Sequence, residues 1–80
     1  MQAPEALRKW RTDASLTQIQ AAEKVGVSGP TWSDWENGKK FPRNDRAEDL
    51  EKLTGGSVTM PMWAAWVRRR TKKAARRKAA

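Results

Sequence analysis

Residues 17–38 read TQIQAAEKVGVSGPTWSDWENG, and this stretch decides the fold. Thr17 is a helix N-cap, and Gln20 three residues later completes a capping box. Ala21, Ala22 and Val25 recur at helical spacing on one face. Ala22 is small enough to let a second helix cross closely. Gly26 stands where a helix ends in a left-handed residue, a conformation that costs glycine little. Val27 plugs the angle, and Ser28 or Gly29 opens a second helix. Its inward residues are Trp32 and Trp35, at i and i+3. Asn37-Gly38 stops it. The spacing therefore predicts two short helices joined by a tight turn, over about 17–25 and 29–37.

Outward from this pair, Pro4 and Glu5 suit the start of a first helix running to about Thr12, with Leu7 and Trp10 inward and Arg8 and Lys9 outward. Leu16 turns back into the core. Residues 39–44 form a loop with Phe41 packed beneath it and Pro42 marking a boundary. Asn44 or Asp45 caps a fourth helix that carries Ala47, Leu50 and Leu53 on one face, and Gly55-Gly56 ends it. Residues 57–60 are ambiguous: an extended segment, or a strand exchanged between subunits. Pro61 opens a fifth helix, on which Met62, Trp63, Trp66 and Val67 form an apolar stripe. That stripe covers its own core or meets a partner's, and as a dimer contact it involves all four residues. From Arg68 the chain has good helix propensity but no apolar face, and reads as frayed helix or disorder.

Eighty residues make one small domain with a thin core. The chain has no Cys and no His, which removes disulfides, thiolate sites and the commonest metal ligand and general base. Neither a metal nor another cofactor is expected, and an enzyme is disfavoured. No apolar run is long enough to span a bilayer. No basic-then-apolar secretion signal stands at the N-terminus. The expected setting is the cytoplasm, at the nucleoid if DNA is the partner. The net charge of +8 is unevenly placed. Residues 1–67 hold nine basic and nine acidic side chains. Residues 68–80 hold Arg68, Arg69, Arg70, Lys72, Lys73, Arg76, Arg77 and Lys78, and no acid. A neutral domain with a basic tail suggests a densely anionic partner, met partly by that tail.

The run L-T-Q-x-x-x-A-x-x-x-G-V-S, ending in E-N-G-K, resembles the helix-turn-helix of the Cro/CI-type (XRE-like) DNA-binding family. Leu7, Trp10 and Arg11 fit that family's first helix. The resemblance covers about residues 6–56. It implies an all-α, lambda-repressor-like domain of four to five helices with a short C-terminal extension. The organisation expected is a DNA-binding domain over 1–56, a dimerisation extension over 57–67 and a basic tail over 68–80. The implied function is sequence-specific binding of double-stranded DNA by a phage or bacterial repressor that occupies its promoter. A homodimer on a pseudopalindromic operator follows, with half-sites roughly 34 Å apart.

In the family the second helix of the pair lies in the major groove. Carried onto this chain, the base-contacting positions are Ser28, Gly29, Pro30, Thr31, Ser33 and Asp34. The backbone-contacting positions are Thr17, Gln18, Asn37, Lys39, Lys40 and Arg43. The turn 37–40 would offer backbone N–H groups together with its two cations. Gln18 would also brace the second helix. Arg11 and Glu36 align with a pair that forms an internal salt bridge in relatives. The plainer reading is that these are solvated polar residues, and for Arg43 it has equal weight. The leading turn has no Arg, Lys, Gln or Asn, the types that pair bidentately with guanine or adenine. Direct readout should be sparse and DNA shape correspondingly important.

Five Trp also invite a stacking role on single-stranded nucleic acid. The core spacing of Trp10, Trp32 and Trp35 argues against it. Two rival readings have different chemistry. One is an antitoxin or antirepressor whose stripe binds a protein, since T-G-G-x-V-T after the fourth helix also resembles small antitoxin and Cro-like proteins. The other is an RNA or membrane-surface binder that works through the Trp-rich basic tail.

Overall fold

The computed structural model describes the backbone of residues 2–79 and the side chains of residues 2–70. Five helices follow one another: α1 (Ala3–Asp13), α2 (Gln18–Lys24), α3 (Gly29–Glu36), α4 (Asn44–Leu53) and α5 (Met60–Ala79). There is no strand among the described residues. Residues 57–59 form a bend leading straight into α5, so neither an extended segment nor an exchanged strand is present there. The helix starts one residue before Pro61.

Local chemistry fixes most of the boundaries. The Thr17 hydroxyl accepts from the Gln20 N–H, and the Gln20 side chain accepts from the Thr17 N–H, so the capping box is complete. Ser28 caps α3 by accepting from the Thr31 N–H. Helix α4 departs from expectation. Its N-cap is Arg43, with no side-chain cap bond. Asn44 and Asp45 lie inside the first turn, and Asp45 accepts instead from the adjacent Arg46 N–H. Its charge still favours the positive end of the helix.

Helices α1 to α4 all end in the same way, with two backbone bonds that wrap the last turn around a left-handed residue. At α2 these run from Val27 to Ala22 and from Gly26 to Glu23, at 3.0 and 3.2 Å. At α1 they run from Leu16 to Arg11 and from Ser15 to Thr12. The left-handed residue is glycine after α2, α3 and α4 but Ser15, at φ 58°, after α1. A side chain in that region costs roughly 1–2 kcal/mol. Ser15→Gly should therefore stabilise the domain by about 1 kcal/mol, partly offset by the added freedom of the unfolded chain. Thermal unfolding should show a midpoint raised by roughly 4–8 °C; an unchanged or lowered midpoint would mean that Ser15 carries no strain.

One core joins all five helices. Ala3, Ala6 and Leu7 from α1 meet Ala21, Ala22 and Val25, then Trp32 and Trp35, then Ala47 and Leu50. The two α3 rings tilt at 51° with centroids 5.9 Å apart, filling the space left by the small alanines. The core also takes in Val58, fully buried, and Trp63. It does not stop at Gly56, as a boundary drawn after the fourth helix would require. Thr54 organises the approach: its hydroxyl donates to the Leu50 carbonyl and accepts from the Val58 N–H. Glu51 accepts from the Met60 N–H and so caps the start of α5.

The apolar stripe on α5 is thus mostly spent within its own chain. Trp63 is buried, so it is withdrawn from the proposed dimer contact. Trp66 is half-buried against Trp63, at 6.1 Å between centroids. Met62 and Val67 stay half-buried at the helix edge. Phe41 does not pack beneath its loop. It is 49% exposed, with its ring set edge-on to that of Trp66. The neighbouring Pro42 takes the buried place.

Candidate nucleic-acid interface

The α2–α3 pair is held by a single carboxylate. The Glu36 side chain has no exposure, while that of Arg11 keeps 16%. Glu36 accepts from Arg11 through Nε and Nη2, from Trp32 Nε1, from Gln18 Nε2 at 3.2 Å and from Arg8 Nε at 3.4 Å. Arg11 also donates to the Leu16 carbonyl, tying α1 to the chain entering α2. Burial pushes the Glu36 carboxyl up. The bonds from Arg11, Trp32 and Gln18 together outweigh burial and hold it below the usual carboxylate range. The same bond to Glu36 raises the Arg11 guanidinium against the opposing effect of burial.

The close crossing has a second requirement. A Cβ at Gly29 would lie 3.1 Å from Cγ1 of Ile19, so the first turn of α3 sits tightly on α2. Arg46 donates to the Val25 carbonyl at 2.9 Å and fastens α4 to the end of α2.

With Trp32, Trp35 and Glu36 turned inward, the remaining α3 side chains form one polar face. Pro30 and Asn37 are exposed, and Thr31, Ser33 and Asp34 are half-buried. Several are already engaged with one another. The hydroxyls of Ser28 and Thr31 share a hydrogen bond of 2.8 Å. Asn37 donates to Ser33 Oγ and accepts from Arg8. Lys40 Nζ lies 3.9 Å from the Asp34 carboxylate, which offsets the repulsion this acid would exert on a phosphate. Lys39, Lys40 and Arg43 are exposed beyond the end of α3.

The turn 37–40 differs from expectation in one respect. Its backbone N–H groups are not free for an anion. Those of Lys39 and Lys40 both donate to the Asp34 carbonyl, that of Gly38 to Trp35 and that of Asn37 to Ser33. The helix ending consumes them, so a phosphate there would be met by side chains and not by the backbone. The Thr17 N–H is likewise used in the capping box, but its hydroxyl only accepts there and keeps its O–H to donate, and Gln18 gives one of its two amide N–H groups to Glu36.

Sequence reading does not find the contacts that Arg8, Arg46 and Arg70 make in this region. The Trp32 donation to Glu36 is within its reach, because i and i+4 face each other on a helix. Arg8, Arg46 and Arg70 act across elements far apart in sequence and leave no local signal. Among the described residues there is no cluster of His, Cys, Asp or Glu that could hold a metal ion, and no helix long and apolar enough to cross a membrane.

The chain is similar to the HTH-type transcriptional activator BcrR of Enterococcus faecalis, at 38% identity over 53 residues, covering 66% of this chain and 26% of that protein. It is similar to an uncharacterized HTH-type transcriptional regulator of Archaeoglobus fulgidus, at 45% over 38 residues, covering 48% of this chain and 17% of that protein. It is also similar to the type II methyltransferase M.MspI of Moraxella sp, at 50% over 36 residues, covering 45% of this chain and 9% of that protein. The chain thus spans about a quarter or less of the length of these relatives. No solved structure matches it. Residues 5–60 match the family described as a helix-turn-helix domain, and with the α2–α3 geometry in register the chain belongs to that family.

Proposed function

We propose that this chain reads double-stranded DNA through α3 and acts as a transcriptional repressor by occupying a promoter. The observation that carries this reading is the division of α3 into two faces. Trp32, Trp35 and Glu36 fix the helix, leaving Pro30, Thr31, Ser33 and Asp34 outward with Lys39 and Lys40 at the far edge. Asp34 can accept from cytosine N4, and Thr31 can touch a thymine methyl. The lysines hold the register on phosphates. Two HTH-type regulators among the relatives, one of them an activator, support a regulatory role and not repression in particular. The methyltransferase shares only 9% of its length, too little to carry an enzymatic reading across. A pseudopalindromic operator and a homodimer belong to the proposal, with the half-buried Met62, Trp66 and Val67 as the remaining contact residues. The tail from residue 71 lies outside the described side chains, and its attraction to phosphates rests on charge alone.

Selection from random duplexes tests this proposal. One preferred motif should emerge. Lys39→Ala or Lys40→Ala should weaken binding to that motif and to scrambled duplex alike, flattening the salt dependence by about 0.9 for each phosphate no longer neutralised. Enrichment of no motif would contradict the reading.

A further inference from the structure

The end of α3 and the middle of α5 meet at one point, Gly38. A Cβ at Gly38 would lie 3.1 Å from Cζ2 of Trp66, and the residue is left-handed at φ 73°. The indole therefore rests directly on the backbone of the turn. Arg70, one helical turn further along α5, donates from Nη1 to the Gly38 carbonyl at 2.8 Å. Its guanidinium also lies over the Trp66 ring, 5.4 Å from the centroid. Trp66 in turn meets Phe41 on the following loop and the buried Trp63. A continuous path runs from the core through Trp63 and Trp66 to the turn, and Arg70 closes it.

We propose that Trp66 and Arg70 form a latch that positions the 38–40 turn, and with it Lys39 and Lys40, for DNA phosphates. This deepens the DNA reading above and rests on it. The physical reasons are three. A cation is favoured at the C-terminal end of a helix, where the carbonyls point. A planar guanidinium can lie over an indole while its in-plane N–H groups donate to a carbonyl. Gly38 allows the ring to approach because it has no side chain to displace. The latch places the start of the basic segment against the two lysines. Arg70 thereby adds a cation beside the two lysines and serves as a positioning residue for them.

The test compares Arg70→Ala with Arg69→Ala in the full chain. Both remove one exposed cation from α5, but Arg69 makes no hydrogen bond among the described residues, so the pair separates charge from position. In the free protein, amide exchange at Lys39 and Lys40 should quicken about tenfold in Arg70→Ala, as expected for losing a hydrogen bond and a stacked cation. It should be unaltered in Arg69→Ala, and exchange at the core amide of Leu50 should be unaltered in both. On the duplex selected by the wild type, Arg70→Ala should lose about tenfold more affinity than Arg69→Ala, with similar salt slopes. Trp66→Phe, which keeps a ring on Gly38, should fall between wild type and Arg70→Ala in exchange. Equal exchange in the two arginine variants would overturn the latch. Equal affinity losses would make Arg70 one more cation on the phosphates and overturn its positioning role. A wild type that selects no duplex would sink the DNA reading and the positioning role with it, while the exchange comparison would still decide whether the turn is latched.

Discussion

Glu36→Gln should destabilise the domain by about 3 kcal/mol, the low end of the 3–5 kcal/mol typical of breaking a buried ion pair. The low end applies because Arg11 keeps some access to water. The substitution preserves shape and can still accept from Trp32, but it leaves Arg11 facing a neutral amide in a place built for a carboxylate. A domain of this size has only a few kcal/mol to lose. Thermal unfolding should show a midpoint lowered by roughly 12–24 °C. The same carboxylate gives the fold a pH dependence. Its folded pKa lies below its unfolded one, so its contribution is complete above the ordinary carboxylate range. It is lost as pH falls through the folded value. Wild type should weaken in acid, and Glu36→Gln should weaken less over the same window. Parallel acid curves would show that Glu36 is not the residue responsible.

Trp32→Ala should remove about 3–5 kcal/mol by opening a cavity in the core. Trp32 is fully buried, and its indole N–H is one of the donors to Glu36. The variant therefore loses apolar packing and also withdraws a donor from a buried charge. Most of the domain should be unfolded at room temperature by circular dichroism. Trp32→Phe separates the two effects: it keeps much of the ring and should cost about 1–3 kcal/mol for the missing donor. A Trp32→Ala protein with an unchanged midpoint would mean that α3 is rotated and that its outward face has been misassigned.

These two residues also mark where sequence reading succeeds and where it runs out. The capping box of Thr17 and Gln20, the turn at Gly26 and a cap at Ser28 or Gly29 are legible because each is chemistry between residues within five positions of one another. The inward phase of Trp32 and Trp35 follows from helical periodicity. Phe41 cannot be placed that way. Whether it packs or projects depends on Trp66, twenty-five residues later, and on Pro42 taking the buried position. The stripe on α5 is apolar on any reading. Only the tertiary arrangement assigns Trp63 to its own core and Trp66 to Gly38. The turn 37–40 carries the residue types of an anion site, yet the ending of α3 already uses its N–H groups. The continuation of α5 past Arg68 shows that the boundary drawn at 67/68 follows charge and not a break in the helix.

In the proposed reading, one face of α3 reads bases while the opposite face only holds the helix in place. That division is tested most directly by selecting duplexes from random sequence with wild type, Ser33→Ala and Asp34→Ala. Both residues are half-buried, and neither supplies the core, so the variants should fold as wild type does. Each variant should keep most of the motif and change the preferred base at one position, with the lost contact worth about 1–3 kcal/mol there. Identical motifs from all three proteins would contradict that division.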